Sequence, residues 1–282
     1  MSKSVNIRSG LVLLAFVFTA QAADLKRETL SAWEVYVGSA TAEMHERLRP
    51  DRSFLILDED HDSISKVKNG EIIVLHNGSK GLKNVPSGLI HDWTGAAFIP
   101  GATLDQVFSV TRDYDHFKDF YHPNVVDSRT LSSGHADSRF SMVLMNKSAV
   151  VNVAIDGDYR CLFFRVNERR WYSISETTSM REIEDYGTPK QRELNDGRGK
   201  GLLWRLFSIA RFEERDGGVY VELEAIALSR DIPVSVRWLI EPIVSRLSRS
   251  SLMTSLRQTE DAVRSRTTSV SLSADILRAG RH

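Results

Sequence analysis

The chain has 282 residues, 41% of them apolar and 26% charged, with 37 basic and 37 acidic side chains. A chain this long buries about 70–75% of its unfolded surface without staples, and zero formal charge excludes a strong global pull towards nucleic acid or anionic lipid. The single cysteine, Cys161, excludes an intramolecular disulfide and a cysteine-rich zinc site.

Residues 1–22 read as a secretory signal peptide. Lys3 and Arg8 form a cationic start, Gly10 to Thr19 bracket a short apolar run, and Ala20-Gln21-Ala22 offers a small-x-small cleavage site. Cleavage there starts the mature chain at Ala23 and leaves a formal charge of −2. The expected location is exported, periplasmic or secreted, in a bacterium. No apolar run reaches the roughly 18 residues of a membrane span, so no stable membrane anchor is expected.

Residues 23–87 form an expected N-terminal helical extension. Leu30, Trp33, Val37, Met44 and Leu48 recur at near-helical spacing before Arg49-Pro50. Two short apolar pieces follow, 54–57 and 72–75. Asp58-Glu59-Asp60-His61-Asp62 between them lacks the glycine and distal glutamate of a calcium loop and reads as a solvated acidic loop. Residues 77–88 are turn-rich and mark a boundary.

From residue 88 the pattern changes. A strand over 89–98 ends at Pro100-Gly101, Thr103 caps a short helix, and a second runs from Asp115 to Tyr121. Strands are then expected at 124–131, 138–146, 149–156, 159–166, 171–184, 202–213 and 218–229. A helical segment runs from Pro233 to Arg266, and 267–282 reads as a flexible tail. On one straight helix Leu239, Ile243 and Leu247 oppose Leu252, Met253 and Leu256, which predicts a break at Ser248-Arg249-Ser250-Ser251.

The hairpin around Arg215-Asp216-Gly217-Gly218 is the most detailed expectation. Pairing Glu213 with Gly218 puts Trp204, Leu206, Ser208, Ala210 and Phe212 on one face with Val219, Val221, Leu223, Ala225 and Ala227. Arg211 and Glu222 fall on the other face, diagonal to one another, as a surface ion pair. The apolar face must be buried, and its small members leave room for a ligand or for a neighbouring helix.

A strand, two short helices, a run of antiparallel strands and a closing long helix is the helix-grip order. Ser229-Arg230-Asp231-Ile232-Pro233 followed by Trp238-Leu239-Ile240, Leu252 and Leu256 resembles the entry to the last helix of START-like lipid-transfer domains. Gly201 to Leu206 and Val219 to Glu222 also look like exported bacterial relatives of polyketide cyclase-like proteins in the same Bet v 1-type superfamily. The resemblance covers 88–266. It implies an α+β fold, a curved antiparallel sheet wrapped around a long C-terminal helix, and a cavity between them for a hydrophobic or lipid-like small molecule.

The lining expected on this basis is Trp204, Leu206, Ser208, Ala210, Phe212, Val221, Leu223, Ala225 and Ala227 from the sheet. Leu252, Met253 and Leu256 would come from the helix, and His91 and Tyr121 would contribute polar groups. No cofactor, metal or nucleic-acid partner is expected. Gly197-Arg198-Gly199-Lys200-Gly201 has the wrong spacing for a phosphate loop and reads as a mobile basic loop. Cys161, between Arg160 and Leu162-Phe163, reads as a buried inert thiol. No catalytic pair is apparent, because His91 and Asp92 are strand neighbours on opposite faces. A cyclase or dehydratase on the same fold, and an envelope interaction module with a collapsed cavity, are the alternatives.

Overall fold

The computed structural model describes residues 23–77, 81–147 and 152–279, so the signal-peptide segment lies outside it. The extension supplies α1 (Arg27–Glu46), a 3-10 turn at Ile56–Glu59, α2 (His61–Lys68), β1 (Ile73–His76) and β2 (Leu82–Val85). Next come β3 (Gly88–Pro100), α3 (Leu104–Thr111), a 3-10 turn (Tyr114–His116) and α4 (Phe117–Phe120). Six further strands follow: β4 (Val125–Ser133), β5 (Asp137–Lys147), β6 (Asn152–Arg165), β7 (Arg170–Glu184), β8 (Arg192–Glu193) and β9 (Arg205–Arg215). The chain closes with β10 (Gly218–Arg230) and α5 (Val234–Ala279).

The architecture is α+β, the helix-grip arrangement. One curved antiparallel sheet runs β1-β3-β10-β9-β7-β6-β5-β4, with β2 added to β3 and β8 to β7. α5 crosses one face, here called the inner face. Thr103 caps α3 in a full capping box with Gln106. The two strands expected at 149–156 and 159–166 are one strand, β6. Gly157 and Asp158 pair with Met180 and Ser179 on β7, and the irregularity after them is taken up as a bulge rather than a turn.

The hairpin register differs from the expected one by two residues. Arg215 pairs with Gly218 across Asp216-Gly217, both at positive φ, so the loop has only two residues. A slip of two preserves every side chain's face, because the side-chain period of a strand is two. Leu206, Ser208, Ala210 and Phe212 therefore do lie opposite Ala227, Ala225, Leu223 and Val221. Arg211 faces Glu222 directly.

The second correction concerns the other face. Phe207, Ile209, Arg211, Tyr220, Glu222, Glu224, Ile226 and Leu228 are buried. They lie beneath the extension, where Trp33, Met44, Phe54, Leu55, Leu57 and Val67 form one apolar cluster with them. The acidic stretch 58–62 is not a free loop: Asp58 pairs with Arg215, and Asp60 caps α2 through the Asp62 amide. β1 and β2 pair directly with β3, so the extension is part strand and shares the sheet with residues 88–266.

α5 is continuous through Ser248–Ser251, against the expected break, and carries Pro242 within it. It continues to Ala279, beyond the expected end at Arg266. Leu252, Leu256 and Val263 are buried, whereas no side chain between 241 and 251 is. The two opposed apolar stripes need not share a face, because Ile243 and Leu247 stay half-exposed.

Candidate functional site

The inner face is built on alternate residues of β3, β10, β9 and β7. Gly95 is where α5 touches down. A Cβ there would lie 2.6 Å from Leu256 Cδ1 and 3.0 Å from Leu252 Cγ, so only glycine admits this approach. Beyond this contact no side chain of α5 between 241 and 251 is buried, and the floor is incompletely covered. Leu206, Ser208, Ala210, Leu223, Ala225 and Ala227 are half-buried, while Phe212 and Val221 at the far end are buried. β7 extends the floor with Ser175 opposite Ser208 and Ser173 opposite Ala210. The result is a shallow strip of small side chains beside a loosely packed helix segment.

Aromatic rings close the far end. Phe108 meets Phe163, Trp171 and Phe212 edge-on at 5.3–6.1 Å between centroids. Phe140 stacks between Tyr114 at 4.2 Å and Tyr159 at 4.9 Å. Tyr121 accompanies α4 rather than the floor, with its hydroxyl 3.0 Å from Thr259 of α5. Gln258 donates to the His122 carbonyl at 2.7 Å beside it, so this pair of bonds ties α4 to α5. Met253 is half-buried against the same core.

Of the sheet residues expected at the site, Trp204 is misplaced. It precedes β9, and its ring is buried in the outer cluster with Phe207 and Leu228. Its amide bonds the Leu228 carbonyl at 2.7 Å before strand alternation takes hold. The 197–201 loop is likewise not free. Glu182 accepts the Lys200 and Gly201 amides, both at 2.8 Å, and Gly199 at φ +119° passes against its carboxylate. The burial of Cys161 pushes its thiol up to about 11, so the thiol is inert at neutral pH.

His91 is the polar group of the floor. It sits on β3 opposite Ala227, 5% exposed, with Nε2 2.9 Å from Ser229 Oγ. Burial depresses its pKa to about 4, so the ring is neutral at pH 7. Among the described residues neither Nδ1 nor Nε1 of Trp93, two residues along on the same face, has a hydrogen-bond partner. Trp93 was not anticipated, although a period of two from His91 indicates it.

A second polar centre lies on the opposite face and was not anticipated either. Arg211, fully buried, donates to Glu222 at 3.1 Å and to Glu224 at 2.7 Å. Glu222 also accepts the Ile56 and Leu57 amides. Asp92 accepts from Tyr36 and from Asn77, both at 2.8 Å. Its carboxyl rises to about 6, chiefly through burial and then through neighbouring Glu224. This centre joins the sheet to the extension. Its signal in the sequence is charge alternating with Phe207, Ile209 and Ile226 on strands that would otherwise be half-solvated.

A surface depression on the extension is rimmed by the charged side chains of Glu43, Glu46, Arg49, Asp51 and Arg52. Among the described residues no three His, Cys, Asp or Glu side chains converge as metal ligands. No helix among them is long and apolar enough to cross a membrane.

No family model matches the chain, and no curated protein matches it. Solved structures do. A STAR-related lipid transfer protein fragment from Xanthomonas axonopodis is 19% identical, with a TM-score of 0.43 over 69% of this chain and 97% of that one. Human STARD10 is 8% identical, with a TM-score of 0.42 over 77% and 83%. The Zhui aromatase/cyclase from Streptomyces is 12% identical, with a TM-score of 0.40 over 63% and 96%. The chain is thus similar to solved STAR-related lipid transfer and aromatase/cyclase structures, at low identity.

Proposed function

We propose that the protein is exported and holds a hydrophobic or amphipathic, lipid-like small molecule between α5 and the inner face of the sheet. One observation carries this reading: the two faces are buried to different extents. The convex face, charges included, is sealed by the extension, whereas the inner apolar strip from Leu206 to Ala210 and from Leu223 to Ala227 is half-covered. Leaving apolar surface uncovered forfeits about 25 cal/mol per Å². An apolar ligand recovers that energy by completing the layer beside residues 241–251 of α5.

A cyclase or dehydratase needs two titratable groups reaching one ligand. His91 faces the strip, but Asp92 points to the extension, which favours binding without turnover. Export is supported by the cationic start and the Ala-Gln-Ala site. From Ala23 onward the chain is also held: the Ala23 and Leu25 amides bond the Gly199 and Gly197 carbonyls at 2.7 and 2.9 Å. N-terminal sequencing of protein from its host should begin at Ala23, and an intact Met1 in the cytoplasm refutes export.

The binding test is a titration with N-phenyl-1-naphthylamine, a neutral apolar fluorophore. Wild type should take it up at micromolar concentration. Ala225→Trp, opposite both Trp93 and Ser208, should abolish uptake while the protein stays folded, because overpacking costs about 1–3 kcal/mol. No uptake by wild type, or undiminished uptake by Ala225→Trp, refutes the site.

A further inference from the structure

The convex face holds more buried negative charge than its buried cations neutralise. Asp92, Glu222 and Glu224 are each under a tenth exposed. The guanidinium of Arg211 bonds Glu222, Glu224 and the Met44 sulfur. Arg47, the other buried cation among the described residues, is bonded to Glu43 and Glu59. With all three carboxylates ionised, the centre carries three negative charges around one guanidinium. Glu222 and Glu224 share that guanidinium, and Glu222 also has the Ile56 and Leu57 amides.

Asp92 is bonded by neutral donors instead. They are the Tyr36 hydroxyl of α1 and the Asn77 amide of the β1–β2 connection, both at 2.8 Å. The same Asn77 nitrogen is 3.0 Å from Thr94 Oγ1 and 3.5 Å from Glu224 Oε1, so Asp92 and Glu224 are neighbours across one amide. The cation of Lys83 on β2 lies over the Tyr36 ring, 4.9 Å from its centroid. Burial first, and then Glu224, push Asp92 up to about 6, against the pull of Tyr36, Asn77 and Arg211. Tyr36 is itself pushed up by burial and by Asp92, so it remains a protonated donor at neutral pH. Tyr36 also ties Asp92 to α1. Trp33 and Met44 of that helix, with Tyr36 and Val37 against them, share one apolar cluster with Ile90, Ala96 and Phe98 of β3. Lifting α1 from β3 returns the Asp92 carboxyl to water.

We propose that the extension is a pH-gated clasp: α1 is held on β3 while Asp92 carries a proton, and ionisation of Asp92 beside Glu224 loosens α1 from the convex face. The sign follows from linkage. Asp92 holds its proton more tightly when α1 is docked, about 6 against an ordinary 3.8. Docking is therefore strongest on the acid side and weakens as pH rises through that window, by on the order of a hundredfold in all. Between pH 5 and pH 7.5 the remaining change is about tenfold. The clasp lies on the face opposite the proposed binding strip and works whether or not that strip takes a ligand.

The test is amide hydrogen exchange of the full chain at pH 5 and pH 7.5, expressed as protection factors so that the intrinsic pH dependence cancels. Amides of α1 should exchange through an opening of their own, with less protection than the paired amides of β6 and β7 at both pH values. Their protection should fall about tenfold from pH 5 to pH 7.5. His91 on the same strand titrates in the opposite sense and cannot produce that fall. Asp92→Asn should abolish the pH dependence in α1. Tyr36→Phe removes a donor that favours the carboxylate, so it should move the loosening to higher pH. The 13C resonance of the Asp92 carboxyl should titrate near 6 in wild type. Equal α1 protection at the two pH values, α1 protection equal to that of β6 and β7, a fall that persists in Asp92→Asn, or a carboxyl titrating at its ordinary value each overturns the proposal.

Discussion

Glu222→Ala tests the buried convex face most directly. The carboxylate is 1% exposed and accepts three hydrogen bonds: Arg211 at 3.1 Å, the Ile56 amide at 3.1 Å and the Leu57 amide at 2.8 Å. Removing one partner of a buried ion pair costs about 3–5 kcal/mol. Arg211 keeps Glu224 at 2.7 Å and the Met44 sulfur at 3.1 Å, so the lower end applies to the pair. The two orphaned amides, in the extension's own 3-10 turn against the sheet, add about 1 kcal/mol each. The expected loss is about 5 kcal/mol, a large part of the roughly 5–15 kcal/mol that holds a domain together. Urea denaturation reads it as a lower midpoint. Arg160→Ala is the control. Its partner Asp137 is 2.7 Å away, but the two side chains are 38% and 47% exposed, so the change should cost less than about 1 kcal/mol. Equal midpoints for the two variants would show that the convex face is solvated and that the extension does not seal it.

Gly95→Val should lift α5 from β3 and cost about 1–3 kcal/mol in thermal melts, because its Cβ meets Leu256 at 2.6 Å; an unchanged melt would refute the tight contact. His91 titrates near 4 in the folded state against about 6.5 unfolded, so stability should fall as pH drops from 6.5 to 4, by on the order of 3 kcal/mol. Urea midpoints for His91→Phe should lack that acid-side slope. Asp92 acts in the opposite sense. Its folded pKa of about 6 exceeds the ordinary 3.8, so its ionisation lowers stability as pH rises from about 4 to 6, and Asp92→Asn should remove that decline. Glu182→Ala should speed hydrogen exchange at the Lys200 and Gly201 amides, which lose their 2.8 Å acceptor.

Much of the fold was legible because it rests on local rules. Alternation over 204–227 sorted the side chains between two faces, and a register error of two residues left that sorting intact for the same reason that alternation exists. Thr103 marked the start of α3, and Asp216-Gly217 marked the hairpin. Of the candidate site, Leu206 to Phe212 and Val221 to Ala227 came together as the strand period requires. Trp204 did not, because it stands one residue before β9 begins and alternation does not bind it.

What the sequence could not supply is which surfaces meet at long range. Charged residues on a strand predict a solvated face, yet Arg211, Glu222 and Glu224 are buried. A segment more than 160 residues earlier in the chain brings two backbone amides to Glu222, and the charges satisfy one another. The continuity of α5 is equally tertiary. The break was expected on the premise that both apolar stripes must be buried, and the helix stays whole with Leu252, Leu256 and Val263 buried while Ile243 and Leu247 of the opposite stripe are not. His91 shows the division within one residue. Its face follows from a period of two, but its burial and its bond to Ser229, 138 residues away, are tertiary. Local propensity and periodicity act over a few residues, whereas desolvation and hydrogen-bond satisfaction depend on the groups that the folded chain brings into contact.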